Sequence, residues 1–482
     1  MKPLFGEGVI KTQTKSHLWR KTVIFAIIAG MLLFSFIGAL FQPSVAWADE
    51  AAEDADAEQA DSEATEATDA ASNSGTGDNF LGLQVKSALL MEAYTGQVLY
   101  YYAAPEAKNG WEPASMVKMM TEYLVLDAIK EGKLSWDTVV TITERQDSIR
   151  GSGQLLAAGH KYTIKDLFNH MSIYSANDAA VALAENVAGS EEKFVEMMNQ
   201  KAREFGLSEH AHFSNATGLP NDYYGEYAPN TSGQNWFTAK DAAIIAQRLL
   251  IDHPEILEFS SKPQEYRREG DPNTELMLNW NRMLESWIPL NNLYSKLYAY
   301  EGLDGLKTGH TNTAGYNFTG TAVRDGLRLI SVVMGAENED MRFGETRKLL
   351  DYGFNNFEKR TVIPAKTEME QLPKVSIKRG KKTEVPLVTQ NGLELVMKKD
   401  ETLEDLVITA APVDEELLTA PIKQGDVLGT LTVEYDNGVE PVQYTVNLIA
   451  AEDVEESGWF TLLLRAIGNF FRSIWNSIVN IF

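Results

Sequence analysis

The stretch 115–130 has helical spacing and is apolar on nearly every side. Met116, Val117, Met119, Met120, Tyr123, Leu124, Val125 and Leu126 make it too apolar for a surface helix. Such a helix has to be enclosed by other elements, which requires a layered domain. Pro113 marks its start and Gly132 its end. It also contains Lys118, three residues after Ser115. A lysine in a buried helix is costly to desolvate and so needs a reason.

The surrounding pattern supplies the enclosure. Short β-like runs at 87–91 and 97–102 flank the turn Tyr94-Thr95-Gly96, the mark of a hairpin. Helical patterns follow at 164–171, 176–187, 193–205 and 239–251. A second hairpin, 315–323 and 327–335, turns at Arg324-Asp325-Gly326. Strands at both ends with helices between predict one α/β domain over residues 80–360, its sheet built from N- and C-terminal strands and flanked by helices. From about Thr361 the pattern becomes short strands at 375–377, 384–388, 393–397 and 406–410. A hairpin follows, 427–435 and 439–449, around Asp436-Asn437-Gly438. Residues 361–457 therefore read as a small all-β domain.

The two ends differ from this body. Residues 1–48 run from a basic segment (Lys2, Lys11, Lys15, Arg20, Lys21) through the apolar run 23–41 to Ala46-Trp47-Ala48, the form of a secretory signal peptide cleaved after Ala48. An uncleaved anchor is the alternative. Residues 49–79 carry eleven acids and no base, which predicts a disordered, self-repelling spacer. Residues 458–482 alternate Phe460, Leu464, Ile467, Phe471, Ile474, Trp475 and Ile478 with a polar stripe. This predicts an amphipathic helix lying on a membrane surface, with Arg465 and Arg472 at the headgroups. The alternative is a helix packed on the β domain or on a second copy of the chain. The acidic tract at Glu452, Asp453, Glu455 and Glu456 is expected to hold the preceding strand off the surface.

Composition removes several functions. With 43 basic against 68 acidic residues the formal charge is −25, which argues against nucleic-acid binding. There is no cysteine, so disulfides, a thiolate nucleophile and cysteine-held metal centres are excluded. None of the seven histidines falls in His-Glu-x-x-His, and His210 and His212 read as surface residues. No glycine-rich phosphate loop is present, and no metal or cofactor is expected.

Three short motifs carry the chemistry: Ser115-Met116-Val117-Lys118, Ser175-Ala176-Asn177 and Lys307-Thr308-Gly309. On a helix, residues three apart share a face, so Lys118 can reach the Ser115 hydroxyl. A serine hydroxyl is a poor nucleophile until a base takes its proton. A lysine serves as that base only when its pKa is depressed, which burial and a second cation, Lys307, would both do. Lys307 and Thr308, on a strand entering the second hairpin, can grip a terminal carboxylate. Gly309 is expected to let a substrate backbone approach that strand.

In order and type, the three motifs resemble those of the serine penicillin-recognising enzymes. The stretch 302–311, Ala314-Gly315-Tyr316-Asn317, Pro113-Ala114-Ser115-Met116 and Asn215-Ala216-Thr217-Gly218-Leu219-Pro220 are similar to those of the exported D-Ala-D-Ala carboxypeptidases, the low-molecular-mass penicillin-binding proteins. The resemblance implies a serine peptidase that removes the terminal D-alanine from peptidoglycan stem pentapeptides and is acylated by β-lactams. It implies Ser115 as nucleophile, Lys118 as proton acceptor, Ser175 as proton relay and Asn177 as holder of the substrate amide. It further implies Lys307 and Thr308 on the substrate carboxylate, and the backbone N–H groups of Ser115 and His310 as oxyanion hole, the His310 ring being a bystander. The expected location is the outer face of the cytoplasmic membrane.

The nearest rival is a class A β-lactamase, which deacylates through a Glu-x-x-Leu-Asn glutamate. Glu275-Leu276-Met277-Leu278-Asn279 fits that string, but it lies far from Ser175 and close to Lys307, so Glu275 reads as a strand or loop residue. A non-catalytic wall-binding protein is the rival from another class, and the three intact motifs argue against it.

Overall fold

The computed structural model describes residues 77–153 and 156–479, with the side chains of 472, 473 and 476–479 left out. The expected signal segment and the acidic spacer up to residue 76 lie outside the described residues, as do the side chains of Arg472 and Ile478.

Strands β1 (Ser87–Glu92) and β2 (Val98–Ala103) form the first hairpin. Helices α1 (Lys118–Lys130), α2 (Ile164–Tyr174), α3 (Asn177–Ala188), α4 (Glu191–Glu204) and α5 (Ala239–Asp252) follow. Strands β3 (Leu303–Thr311), β4 (Gly315–Arg324) and β5 (Leu327–Ala336) then lead into helix α6 (Glu339–Asn356). The sheet runs β2-β1-β5-β4-β3, with every neighbouring pair antiparallel. The β1–β5 pairing, Ser87 opposite Met334 through Glu92 opposite Leu329, joins the two ends of the domain as expected.

The period of two along the strands divides the core. Leu89, Met91, Ile330, Val332 and Met334 face α1–α5. Ala88, Leu90, Leu99, Leu329 and Val333 face the other way, against Phe343, Leu349 and Leu350 of α6. Both faces are covered, so the domain has three layers. Helix α1 is enclosed by this arrangement, and its buried residues include Met119, Met120, Tyr123, Leu124, Val125 and Lys118 itself. Thr163 with Asp166 and Thr238 with Asp241 form the capping boxes that start α2 and α5.

The second domain has its own core, and begins with a strand that the apolar pattern does not reveal. Strand β6 (Phe357–Ile363) crosses the expected boundary at 360. Two short strands, β7 (Lys374–Ser376) and β8 (Glu384–Thr389), follow it. The next, β9 (Leu393–Lys398), is the strand that pairs with β6. Strands β10 (Val407–Pro412), β11 (Val427–Asp436) and β12 (Pro441–Ala450) complete a sheet ordered β7-β8-β12-β11-β10. Buried hydrogen bonds lock the domains together. Asn437, in the turn of the β11–β12 hairpin, donates to the Val98 carbonyl at 2.7 Å, and Gln97 donates to the Val396 carbonyl at 2.9 Å.

Helix α7 (Trp459–Val479) ends the described chain. Trp459, Phe460, Leu463, Leu464, Ile467, Phe470, Phe471, Ile474 and Trp475 are each at least 41 % exposed, so the β domain does not cover them. Arg465 departs from its expected place. It donates to the carbonyls of Gly380 (2.6 Å) and Lys381 (2.8 Å) and so ties the helix to a turn of the β domain. The acidic tract is likewise not a bare charge, because Glu452, Glu455 and Glu456 pair with Lys382, Lys381 and Arg379.

Candidate active site

The three motifs meet at one end of α1. Ser115 lies in a tight 3₁₀ turn, Ala114–Val117, immediately before that helix. Ser175 caps the C-terminus of α2, and Asn177 opens α3. Lys307 and Thr308 lie on the edge strand β3. Ala114 (φ 48°) and Ser175 (φ 62°) are left-handed although neither is glycine. Such residues cost of order 1–3 kcal/mol each and persist only where the surroundings fix them.

Lys118 Nζ sits 2.9 Å from Ser115 Oγ and donates to Asn177 Oδ1 and to the Thr217 carbonyl, both at 2.7 Å. Lys307 Nζ donates to Ser175 Oγ at 2.8 Å and to the Thr308 carbonyl at 3.2 Å. Lys118 is 0 % exposed and Lys307 2 %. Every one of these partners is uncharged. Burial holds the Lys118 ammonium well below the ordinary lysine range, and the Lys307 cation lowers it further, against a weaker upward pull from Glu122 and Asp178. Burial likewise brings Lys307 down to about 8, with Glu122 pulling up and Arg342 down.

Asn177 lines the cleft with both ends of its side-chain amide already hydrogen-bonded. Its Oδ1 serves Lys118, and its Nδ2 donates to the Arg150 carbonyl at 2.9 Å. Gly309 has a packing reason to lack a side chain. A Cβ there would lie 2.5 Å from the Pro113 carbonyl oxygen and 3.1 Å from the Ser115 nitrogen. The missing side chain therefore lets β3 press against the nucleophile turn. Gly218 plays the same part from the other side, since a Cβ there would lie 1.9 Å from the Ala114 carbonyl oxygen. The His310 ring stacks on Tyr316, 4.0 Å between centroids. Glu275 is exposed, its carbonyl accepting from the Arg267 N–H, and it does not line the cleft.

Ser115 opens onto a cleft of about 460 Å³, with Ser175, Asn177, Thr308, Gly309 and His310 on its walls. Two cationic cleft residues were not anticipated from sequence. Arg342 is buried beside Tyr316, and Arg282 pairs with Glu339 at 2.7 Å, which in turn accepts from Arg342 at 3.1 Å. Arg342 heads the buried stripe Arg342, Thr346, Leu349, Leu350, Gly353 of α6. A cation on an otherwise apolar helix face was the available signal. Glu122, one turn after Lys118, was missed as well. The site is thus basic in a chain whose formal charge is −25.

A family model described as D-alanyl-D-alanine carboxypeptidase matches residues 74–338, and one described as penicillin-binding protein 5, C-terminal domain, matches 357–456. The chain is 34% identical over 403 residues to the D-alanyl-D-alanine carboxypeptidase DacF of Bacillus subtilis, covering 83% of this chain and 93% of that one. It is 34% identical over 384 residues to DacC of Escherichia coli, covering 78% and 86%. Among solved structures it is similar to PBP3 of Streptococcus pneumoniae, described as a peptidoglycan synthesis regulatory factor (TM-score 0.63, 30% identity, 77% of this chain and 100% of that one). Penicillin-binding protein 5 of Haemophilus influenzae is also similar (TM-score 0.60, 29% identity, 78% and 98%).

The packing of β3 on the nucleophile turn is open to test. Gly309→Ala should slow acylation by a fluorescent penicillin by about tenfold or more, because backbone rather than a flexible side chain has to shift. Stopped-flow labelling measures this, and a wild-type rate would show that the close approach is unnecessary.

Proposed function

Because the chain belongs to the D-alanyl-D-alanine carboxypeptidase family, a family of serine peptidases that act in cell-wall metabolism, we propose how its residues divide that work. The observation that carries the reading is Lys118 Nζ, buried among uncharged partners 2.9 Å from Ser115 Oγ. Ser115 Oγ attacks the carbonyl carbon of the penultimate D-alanine while its proton passes to Lys118. The N–H groups of Ser115 and His310 stabilise the oxyanion. The C–N bond then breaks, and the departing D-alanine takes up a proton through Ser175, which is hydrogen-bonded to Lys307. Water hydrolyses the acyl-enzyme, and a β-lactam acylates the same serine. Lys307 and Thr308 bind the substrate carboxylate, with Arg342 as a further cation at the cleft. Asn177 orients Lys118 and holds the substrate amide, since its side chain keeps a second N–H and a second lone pair beyond the bonds to Arg150 and Lys118.

The protein is exported and sits at the outer face of the cytoplasmic membrane, held by α7. Among the described residues no helix is long and apolar enough to cross a membrane. The band Trp459, Phe460, Leu463, Leu464, Ile467, Phe470, Phe471, Ile474 and Trp475 is exposed, which suits the lipid interface. The tie from Arg465 fixes the start of the helix to the β domain, so the membrane would set the orientation of the domain above it.

A peptide ending in Lys-D-Ala-D-Ala should release free D-alanine. Lys307→Ala should weaken this substrate far more than its C-terminal amide, by roughly 1.5–3 kcal/mol, the worth of a charge-assisted bond. Equal losses on both peptides, read as kcat/KM, would remove Lys307 from carboxylate recognition.

Truncation after Gly458 should release the mature protein into the soluble fraction with activity on a soluble peptide retained. A truncated protein that still sediments with membranes after signal cleavage would mean another anchor. Loss of activity with the tail would mean a structural partner for α7.

A further inference from the structure

Glu122 has no part in the scheme above, yet it lies inside the same buried site. It stands four residues after Lys118 on α1, about one turn on, so the two share a face of that helix. It is 2 % exposed, and its Oε1 has no hydrogen-bond partner among the described residues. A buried carboxylate with one oxygen left unpaired is expensive and needs a compensating charge. Lys307 is a buried ammonium on β3 with two bonding partners among the described residues, a hydroxyl and a carbonyl, whereas all three N–H groups of a charged Lys118 would be taken.

We propose that Glu122 is the buried counter-charge of Lys307, a positioning residue that keeps this lysine cationic for the substrate carboxylate while Lys118 is left neutral as the base. This rests on the assignment of Lys307 to carboxylate recognition. Two adjacent buried lysines otherwise have little reason to behave differently. A single negative charge placed nearer in effect to one of them makes the difference. The electrostatics run in this direction, because Lys307 acts on Glu122 more strongly than Lys118 does. On Lys307, Glu122 is the main influence after burial, whereas on Lys118 the cation of Lys307 outweighs Glu122.

The groups around the carboxylate are few. Helix α1 contributes Lys118, strand β3 Lys307 and helix α2 Ser172. Asp178 on α3 acts on Lys118, and Arg342 on α6 acts on Lys307. Burial raises the Glu122 carboxyl to about 7, and Lys307, Ser172 and Lys118 keep it from rising further. With Glu122 ionised, Lys307 protonated and Lys118 neutral, the three groups carry no net charge, which is the least costly state for a dry interior.

The sign of the effect follows. Removing the anion makes the Lys307 ammonium harder to keep, so its proton should leave at lower pH. In the wild type the alkaline limb of kcat/KM on a peptide with a free C-terminus should fall near the Lys307 value of about 8. In Glu122→Gln that limb should move down by about one pH unit or more, giving about a tenfold loss on the alkaline side. The preference for the free over the amidated peptide should collapse there and survive at lower pH. Glu122→Asp, which keeps the charge, should restore the limb in part. Glu122→Met answers the same question should the amide disturb folding, since it removes a buried polar group at similar volume. A role in packing alone would depress both peptides equally at every pH. A folded Gln or Met variant with an unmoved limb overturns the proposal. If the wild-type enzyme itself shows no preference for the free carboxylate, the assignment of Lys307 fails instead, so the two failures are distinguishable.

Discussion

The structure depends on keeping an ammonium group out of water without giving it a carboxylate to bind. Lys118 Nζ is surrounded by a serine hydroxyl, an amide oxygen and a backbone carbonyl. Uncharged partners satisfy its hydrogen-bonding capacity but offset little of the desolvation of the charged form. The neutral amine is therefore favoured, and a neutral amine beside a serine hydroxyl is a base. A close ion pair would have done the opposite, stabilising the cation and leaving the serine inert. The enclosing layers serve this requirement, because a helix wrapped on all sides is what lets a lysine near its first turn stay dry.

Three separate pieces of chain supply the partners, and each is held by its own local device. The Ser115 turn is fixed by a left-handed Ala114 and by the approach of backbone from both sides, where Gly218 and Gly309 have no room for a Cβ. The Thr217 segment is held by a buried network in which Asn215 Oδ1 accepts from the N–H groups of Thr217 and Gly218 and from the Thr217 hydroxyl. That hydroxyl also meets Tyr224, whose own hydroxyl donates to Glu191 at 2.9 Å. The Ser175–Asn177 junction is the corner between two packed helices. Lys307 arrives on a strand whose register with β4 is set by eight residue pairs on a fully packed sheet. The site is rigid because its parts belong to different elements of one core.

Much of this was legible in the chain. The all-round apolar helix announces burial, the hairpin turns announce antiparallel strands, and Ser-x-x-Lys at i and i+3 announces a shared face. What stayed hidden has physical reasons. The middle of β6, Glu358-Lys359-Arg360-Thr361, is polar, so the strand shows no apolar alternation, and only its pairing with β9 reveals it. Arg342 and Glu122 sit on helices whose neighbours are apolar, and which cavity they face depends on tertiary packing. The purpose of Gly309 depends on what lies behind the strand, which one strand's sequence does not state. Arg465 reads as a headgroup contact by pattern, but two backbone carbonyls in a nearby turn are closer partners. The acids at 452–456 read as unbalanced because their bases come from 379–382, far away in sequence.

The central claim is that Lys118 works as a neutral amine. The pH dependence of Ser115 acylation by a fluorescent penicillin, compared between the wild type and Lys118→Arg, tests it most directly. The acylation rate should rise with pH along a limb well below the ordinary lysine value of about 10.4. It should be abolished in the Arg variant, whose guanidinium stays protonated at every accessible pH. A limb at the ordinary lysine value, or an Arg variant that acylates at the wild-type rate, would contradict the account.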